Sequence, residues 1–231
     1  MKKSRRGLFI VLEGTDGSGK GTQFKLLVSA LRRVGKRVAT LDFPQYGKES
    51  AYFVEQYLNG RYGSADSVSP YIASLFYALD RYAAKQQLND WLKQGRMVVA
   101  NRFILSNAAH QGGKIKSKVE LNKYWRWLFN LEYGVFGLPK PDLTILLQMP
   151  AGVARKLVLK KSPRRYLKSG ARRDIHEANF GHLRAAEARY LTLAKLVGAK
   201  VVKCVDQGKL LTPKEIHARV WSKISQYVKN N

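Results

Sequence analysis

The amino-acid sequence predicts a doubly wound α/β fold, in which a five-stranded parallel sheet carries helices on both faces. Five short apolar, β-branched runs alternate along the chain with amphipathic stretches, which is the pattern of β-α units. The runs are apolar at almost every position, as expected of parallel strands that are buried on both faces. The length of 231 residues and the hydrophobic content of 45% suit a single domain with a sizeable core.

The predicted elements follow one another in a regular order. Each strand is bounded by polar residues, glycine or proline, and the strands are Leu8–Glu13, Arg37–Asp42, Met97–Ala100, Leu143–Gln148 and Lys200–Val205. Apolar residues at helical spacing predict the helices Lys20–Val34, Ala51–Leu58, Pro70–Lys93, Lys118–Phe136, Ile175–Leu196 and Pro213–Val228. Ligands of such a sheet bind at the carboxyl ends of its strands, and the motifs below follow those ends.

A glycine-rich loop joins the first strand to the first helix. Residues 14–22 read GTDGSGKGT and contain the pattern G-x-x-x-x-G-K; Gly21 and then Thr22 follow the lysine, where the strict pattern has Ser or Thr directly. Glycines let backbone N–H groups surround phosphate oxygens, and the helix start adds its positive dipole end. The loop therefore predicts nucleoside triphosphate binding, with Lys20 on the β- and γ-phosphates and Thr22 on phosphate or Mg²⁺. The predicted ligands are Gly14, Gly17, Ser18, Gly19, Lys20, Gly21 and Thr22.

This loop is the first of four stretches that occur in a characteristic order. The others are DFPQYG at 42–47, LFYALDR at 75–81 and NRFILSNAAHQ at 101–111. Together they resemble the thymidylate kinase family of P-loop nucleoside monophosphate kinases, over roughly residues 7 to 194. Members carry an acidic residue inside the phosphate loop, which is Asp16 here. The resemblance implies that Asp16 orients the acceptor or the metal, and a turn-forming role is the alternative.

The second stretch resembles the F-P-x-Y-G segment of the family, which lies beside the acceptor phosphate and base. The resemblance implies that Phe43, Pro44 and Tyr46 contact dTMP. Gln45 stands where the family often has arginine, so one phosphate contact is expected to be missing. An ordinary proline turn is the alternative interpretation.

The third stretch lies on a predicted helix and resembles the base-recognition helix of the family. There an aromatic residue one turn before an arginine stacks on thymine. Tyr77 shares a helix face with Arg81 and is the expected stacking residue, with Phe76 as its substitute. Arg81 would hydrogen-bond the base edge. The alternative is a core aromatic residue beside a surface arginine.

The fourth stretch resembles the family motif D-R-Y-x-x-S-N-x-A. Arg102 would clamp phosphates bidentately. Asn101 stands where the family has aspartate, and it keeps the shape but loses the negative charge that helps to hold Mg²⁺ or its water. The residues expected to approach base and sugar are Ser106, Asn107, His110 and Gln111.

A basic segment follows the fourth strand. Residues 155–173 contain nine Lys or Arg and no acidic residue, including Arg164 and Arg165. We interpret it as a short lid that closes on phosphates, because phosphoryl transfer needs positive charge over the moving group; a solvated basic face is the alternative. The sequence DIHE at 174–177 resembles a family motif that places His176 and Glu177 at the acceptor and Glu177 at the metal. A capping box formed by Asp174 and Glu177 is compatible with either reading.

The composition bounds the cellular context. The 42 Lys and Arg against 16 Asp and Glu give a net charge of +26, which favours polyanions such as nucleotides, nucleic acid or anionic membrane, although a basic proteome would produce it too. The one cysteine, Cys204, forms no internal disulfide and is expected to be a buried strand thiol. The sequence has no apolar run of about 18 residues and no signal-peptide pattern, so we expect a soluble cytoplasmic protein.

The combined prediction is one P-loop kinase domain over residues 1–231, with its lid at about 155–173. The resemblance implies a homodimeric, Mg²⁺-dependent transferase of dTTP synthesis that converts ATP and dTMP to ADP and dTDP. Catalysis would rest on Lys20, Arg102, Asp16, Arg164 and Arg165. Glu13, Asp16 and Glu177 would serve the metal or the acceptor.

Two alternatives remain open from the sequence. One is a catalytically weakened P-loop protein that binds nucleotides or nucleic acid, as the amides at Asn101 and Gln45 and the high charge suggest. The other is a kinase for a different nucleoside monophosphate, such as dCMP, dUMP or AMP.

Overall fold

A central parallel sheet organises the chain. The computed structural model describes residues 6–159 and 180–229. Five strands lie in the order β2-β3-β1-β4-β5, and every pairing between them is parallel. The strands are β1 Phe9–Glu13, β2 Val38–Asp42, β3 Met97–Asn101, β4 Leu143–Gln148 and β5 Lys200–Lys203. The predicted fold class is therefore confirmed.

Helices cover both faces of the sheet. They are α1 Lys20–Arg33, α2 Tyr52–Leu58, α3 Pro70–Ala83, α4 Lys85–Lys93, α5 Ile104–Gly112, α6 Lys118–Phe129, α7 Ala151–Leu159, α8 Phe180–Val197 and α9 Pro213–Lys229. A 3-10 turn, Glu49–Ala51, precedes α2, and a π-helix, Asn130–Val135, extends α6. A short antiparallel hairpin of β6 Val205–Asp206 and β7 Lys209–Leu210 precedes α9.

The alternation of side chains along β1 divides the core into two layers. Phe9 and Val11 pack into the cluster formed with α4, α5, α6 and α8. Ile10 and Leu12 pack into the cluster formed with α1, α7 and α9. All four side chains are fully buried, so this central strand is apolar on both faces, as its sequence predicts.

The strand order brings three loops together at one edge of the sheet. β3 lies between β1 and β2, with Asn101 in register with both Leu12 and Asp42. The loops that follow these three strands carry three of the motifs recognised in the sequence. The glycine-rich loop, the cis Phe43–Pro44 segment and Arg102 are consequently neighbours.

Several element boundaries differ from the prediction because tertiary contacts override local pattern. The predicted helix Pro70–Lys93 is interrupted at Ala84 and forms α3 and α4, and the predicted helix Lys118–Phe136 is α-helical only to Phe129. The predicted strand Lys200–Val205 ends at Lys203, because Val205 pairs instead with Leu210 in the antiparallel hairpin, whose turn at Gln207 and Gly208 has positive φ. Helices α5 and α7 were not predicted, and residues 155–159 of the expected lid belong to α7.

Two smaller expectations can also be compared with the structure. The Cys204 side chain is fully buried, as predicted, and burial raises the pKa of its thiol to about 11. No helix within 6–159 or 180–229 is both long and apolar enough to span a bilayer.

Candidate active site

The glycine-rich loop has a conformation that only glycine allows at several positions. Gly14, Gly17 and Gly19 have φ of +147°, +82° and +84°. A Cβ atom on Gly17 would lie 2.2 Å from the carbonyl oxygen of Ala154. Gly19 precedes α1, which begins without a side-chain cap. The amides at the start of α1 are thus presented to an anion, as the sequence predicts for a phosphate cradle.

Lys20 holds its charge inside this loop. Its ammonium group donates to the carbonyl oxygens of Gly14 at 2.8 Å and Thr15 at 2.7 Å. The side chain is 6% exposed. The loop therefore concentrates a cation and a helix N terminus at one point, which is the electrostatic arrangement that a polyphosphate requires.

A cleft opens beside the loop and collects the motifs that lie far apart in the sequence. Aromatic and aliphatic side chains form one part of its wall, and polar side chains form the rest. It is lined by Asp16, Phe43, Pro44, Tyr46, Leu58, Tyr77, Arg81, Arg102, Phe103, Ser106, Asn107, His110 and Gln111. The four recognised stretches thus converge on one site, whereas their individual contacts with a nucleotide stay predictions.

Arg102 and Asp16 form an ion pair where the loop meets the cleft. Arg102 Nη2 lies 2.6 Å from Asp16 Oδ1, and both side chains are largely buried. Arg102 Nη1 also contacts the Ser106 hydroxyl at 3.1 Å. The guanidinium is therefore held in place before any phosphate arrives, and an incoming phosphate would compete with Asp16 for it.

Glu13 does not have the metal- or acceptor-binding position that the sequence suggested. Its carboxylate is fully buried and accepts from the Phe103 amide at 2.8 Å, the Ser106 amide at 3.2 Å and the Ser106 hydroxyl at 2.5 Å. The Tyr190 hydroxyl of α8 is 3.3 Å away. Glu13 thus caps the N terminus of α5 from a neighbouring strand. Sequence analysis missed Tyr190, since nothing local marks a core tyrosine as part of the site.

The adjacent residues Tyr77 and Phe76 point in different directions from α3. Tyr77 lines the cleft and packs edge-on against Tyr57, with ring centroids 6.3 Å apart. Phe76 is absent from the lining and stacks on Phe53 at 5.7 Å. The stacking role of Tyr77 stays a prediction, and Phe76 points away from the cleft because a one-residue step on a helix turns a side chain by about 100°.

Arg81 is a buried residue of the cleft rather than a surface arginine. Its Nε and Nη2 atoms donate to the two carboxylate oxygens of Glu132 at 2.6 and 2.5 Å. The exposed fractions of the two side chains are 3% and 0%. Sequence analysis missed Glu132, which lies on the π-helix after α6. Its only sequence signal is an acid within an otherwise apolar amphipathic stretch.

Two amide side chains give the cleft hydrogen-bonding capacity. Asn107 Oδ1 and both polar atoms of the Gln111 amide are buried and make no hydrogen bond to the described residues. Leaving such atoms without a partner typically costs about 1–3 kcal/mol each. Both residues line the cleft, so a polar ligand would recover part of this cost.

His110 contacts a second histidine at the inner wall of the cleft. His110 Nδ1 and His182 Nε2 are 3.2 Å apart, so one nitrogen donates and the other accepts. Burial lowers the pKa of His182 to about 4, and repulsion from Lys114 adds to this. Burial, followed by the charges of His182 and Arg102, lowers the pKa of His110 well below its usual value. Both rings are therefore neutral near pH 7.

The two departures from the family motifs have defined partners. Asn101 Nδ2 donates to Asp42 Oδ1 at 2.8 Å across the adjacent strands. The Gln45 amide turns toward α3 and donates to the backbone oxygen of Asp80 at 2.9 Å. Both amides are thus part of the local structure, and Gln45 does not line the cleft.

Of the remaining predicted residues, the structure describes Thr22 but not the four that follow α7. Thr22 is exposed in the first turn of α1. In the described ranges, no cluster of three or more His, Cys, Asp or Glu side chains could hold a metal. The predicted residues Arg164, Arg165, His176 and Glu177 lie outside the described residues.

Comparison with known proteins gives a consistent result. The family model for thymidylate kinase matches residues 12–209 of this chain. A thymidylate kinase of Mycobacterium tuberculosis is 32% identical over 212 residues, which cover 88% of this chain and 95% of that protein. The thymidylate kinase of Homo sapiens is 32% identical over 153 residues, or 66% of each chain. Among solved structures, the fold is similar to thymidylate kinase from Candida albicans, with a TM-score of 0.72, 23% identity and coverage of 96% and 92% of the two chains.

The histidine pair predicts a pH dependence of stability. The unfolded chain protonates His182 near pH 6.5, whereas the folded chain does so only near pH 4. The stability from neutral His182 is therefore complete above about pH 6.5 and is lost as the pH falls toward 4. We expect His182→Phe to reduce the loss of unfolding free energy between pH 7 and 5 by about 2 kcal/mol.

Urea unfolding of wild type and His182→Phe at both pH values would measure this difference. His217→Phe is the control, because His217 lies on α9, outside the cleft lining, and burial lowers the pKa of its ring less strongly. Equal pH dependence in wild type and His182→Phe would contradict the prediction.

Proposed function

This chain belongs to the thymidylate kinase family, and we propose that it transfers the γ-phosphoryl group of ATP to dTMP, which gives ADP and dTDP for dTTP synthesis. It is thus a nucleoside monophosphate kinase. The observation that carries the choice of acceptor is the cleft beside the phosphate loop, which combines an aromatic ring, base-edge hydrogen-bonding groups and a phosphate-binding arginine.

The residues of the loop support the proposed binding of ATP. The α1 N terminus and Lys20 would bind the β- and γ-phosphates, since both present positive charge at the loop. The protein supplies little covalent chemistry in such a reaction. It aligns two anions and reduces the repulsion between them.

The cleft supports a monophosphate acceptor with its phosphate toward the loop. Arg102 would exchange part of its contact with Asp16 for the acceptor phosphate. Tyr77 would stack on the base, and Arg81 and Asn107 would bind its edge. The lining residues Phe43, Pro44, Tyr46, Ser106, His110 and Gln111 would enclose the remainder of the nucleotide.

The oxygen donors near the loop fit Mg²⁺. This ion prefers carboxylates, hydroxyls, water and substrate phosphates, and it seldom needs a full cage of protein ligands. Such donors are the carboxylate of Asp16 in the loop after β1, the carboxylate of Asp42 at the end of β2 and the hydroxyl of Thr22 in the first turn of α1. Bound Mg²⁺ would supply charge neutralisation of the phosphates. We keep Glu177 as a further proposed ligand and His176 as a proposed acceptor contact.

The basic segment after α7 would complete the site. We propose that Arg164 and Arg165 cover the phosphates, because a cation over the transferred group stabilises its developing charge. No feature of the described cleft favours a nucleic-acid ligand over a nucleotide, so we do not propose polyanion binding as a second function.

We also propose that the chain forms a homodimer through α3. One face of this helix carries exposed apolar side chains, with Ile72 48%, Leu79 45% and Tyr82 48% exposed. The neighbouring Tyr52 and Phe53 are 56% and 47% exposed. A cluster of large apolar side chains of this kind is typical of an interface.

The first prediction of the proposal concerns Lys20. Lys20→Ala should lower kcat for dTMP phosphorylation by about 10²–10³-fold, because it removes charge stabilisation from the phosphates. A coupled ADP-release assay with dTMP, dUMP, dCMP, AMP and GMP would measure turnover. Lys25→Ala is the matched control, since Lys25 is an exposed lysine on the same helix. Unchanged turnover in Lys20→Ala would exclude this role, and preferred turnover of another monophosphate would overturn the choice of dTMP.

The second prediction concerns the hydrogen bond between Asn101 and Asp42. Asn101→Asp would place two carboxylates in contact, and we expect a melting temperature lower by about 2–4 °C in EDTA for a loss of about 1 kcal/mol. Added Mg²⁺ should reverse the loss. The swapped variant Asn101→Asp/Asp42→Asn is the control, because it restores the hydrogen bond with donor and acceptor exchanged. An unchanged melting temperature of Asn101→Asp in EDTA would contradict the contact.

The third prediction concerns the association of two chains through α3. Light scattering should give a dimer for the wild type and a monomer for Leu79→Glu, because a charge at the centre of the α3 face opposes its burial. Leu196→Glu is the control at another exposed leucine, on α8. A wild-type monomer, or a dimer that survives Leu79→Glu, would contradict the proposed interface.

A further inference from the structure

We propose that Glu132 is the positioning residue that sets the base preference of the cleft, acting through Arg81 and Asn107. This inference rests on the proposed function. Glu132 itself does not line the cleft, whereas Arg81 and Asn107 do. It therefore orients the groups that touch the base and makes no contact of its own.

The carboxylate fixes the direction of the Arg81 guanidinium. It accepts from Nε and from Nη2, which is a bidentate contact along one edge of the group. An arginine has five N–H donors, so three remain for other partners. Since Arg81 lines the cleft, these donors are available to an acceptor atom on a ligand.

The same carboxylate and the backbone oxygen of Ser74 together orient the Asn107 amide. Asn107 Nδ2 lies 3.5 Å from Glu132 Oε1 and 3.1 Å from the backbone oxygen of Ser74. Both neighbours are acceptors, so the NH₂ end must point toward them. The buried Oδ1 atom is then the acceptor that Asn107 offers elsewhere.

Together these orientations present donors from Arg81 beside an acceptor from Asn107. A pyrimidine with a 4-oxo group and a protonated N3 offers the complementary pair, an acceptor beside a donor. Cytosine offers the opposite pair, because its 4-position carries an amino group and its N3 is unprotonated. Glu132 therefore favours thymine or uracil over cytosine, because it helps to present Arg81 as a donor and Asn107 as an acceptor to the base.

The environment of Glu132 supports a dedicated role. Its side chain is fully buried, although its neighbour Val135 on the same π-helix is 69% exposed. Such π-helical turns are rare and frequently occur at functional sites. Burial lowers the pKa of Arg81, but the charge and hydrogen bond of Glu132 together with the charges of Asp80 and Glu13 outweigh this, and the pKa is raised. The guanidinium thus stays charged inside the cleft.

The variant Glu132→Gln tests the inference. The glutamine NH₂ group would oppose one donor of Arg81 and remove one of the two acceptors that orient the Asn107 amide. We expect the KM for dTMP to rise at least about 10-fold, and the ratio of kcat/KM for dTMP over dCMP to fall at least about 10-fold. The kcat for dTMP and the KM for ATP should stay within about 3-fold, because the phosphate loop is untouched.

Two further variants separate positioning from loss of packing. Asp206→Asn controls for the acid-to-amide change itself, because it makes that change in the exposed Asp206–Arg219 pair outside the cleft lining. Glu132→Asp keeps the charge and should preserve discrimination better than Glu132→Gln. If Glu132→Gln fails to fold, the double variant Arg81→Gln/Glu132→Gln removes the unpaired buried charge. Its dTMP affinity should lie within about 3-fold of that of Arg81→Gln alone.

The outcomes distinguish this inference from the proposed function. Calorimetric titration with dTMP and dCMP measures base preference without turnover. A wild-type protein that binds dTMP but does not phosphorylate it would overturn the proposed function. The role of Glu132 would then be tested by the ratio of dTMP to dCMP affinity in the titration. Equal base preference in wild type and Glu132→Gln, equal rises in the KM for dTMP and ATP, or additive losses in the double variant would each overturn the role of Glu132.

Discussion

The buried carboxylate of Glu13 is the constraint on which the site depends. It lies at the end of β1, immediately before the phosphate loop, and binds the start of α5 and the Tyr190 hydroxyl of α8. A buried carboxylate is costly unless several donors satisfy it, and here the Phe103 and Ser106 amides and two hydroxyls lie within hydrogen-bonding distance. The first strand and α5 are thereby locked in one arrangement.

This arrangement determines where the cleft residues point. Helix α5 carries Ser106, Asn107, His110 and Gln111 on successive turns, so its first turn sets the direction of all four. Arg102 precedes the helix at a φ of +66° and reaches back to Asp16 in the phosphate loop. One capping interaction therefore couples the phosphate loop, where we propose that ATP binds, to the cleft proposed for the acceptor.

The features that the sequence predicted are those that a local pattern encodes. Apolar runs such as Val98–Ala100 identify strands, and the glycines of the cradle identify positions of positive φ. The motif resemblance predicted that Tyr77 and Arg81 share one site. Both line the cleft, since an i, i+4 pair shares a helix face. The predicted role of Glu13 is wrong, because its hydrogen-bond partners lie about 90 and 177 residues away along the chain and no local pattern shows them. The partner of Arg81 was missed for the same reason, because no local rule selects Glu132 from the acids of the chain.

The two departures from the family motifs each place an amide beside a charged side chain. Asn101 lacks a carboxylate, but its amide binds Asp42 on the adjacent strand, so one negative charge remains at this edge of the sheet. Gln45 lacks the cation of an arginine, but its Oε1 atom accepts from the ammonium of Lys48 at 2.7 Å. In both cases a neighbouring side chain supplies the sign of charge that the amide cannot. The two exchanges differ in where the charge lies, because Asp42 is at the end of β2 in register with Asn101, whereas Lys48 is exposed and neither Gln45 nor Lys48 lines the cleft. The exchange at Asn101 therefore keeps a negative charge at the edge of the sheet that carries the site, while the exchange at Gln45 returns no cation to the cleft.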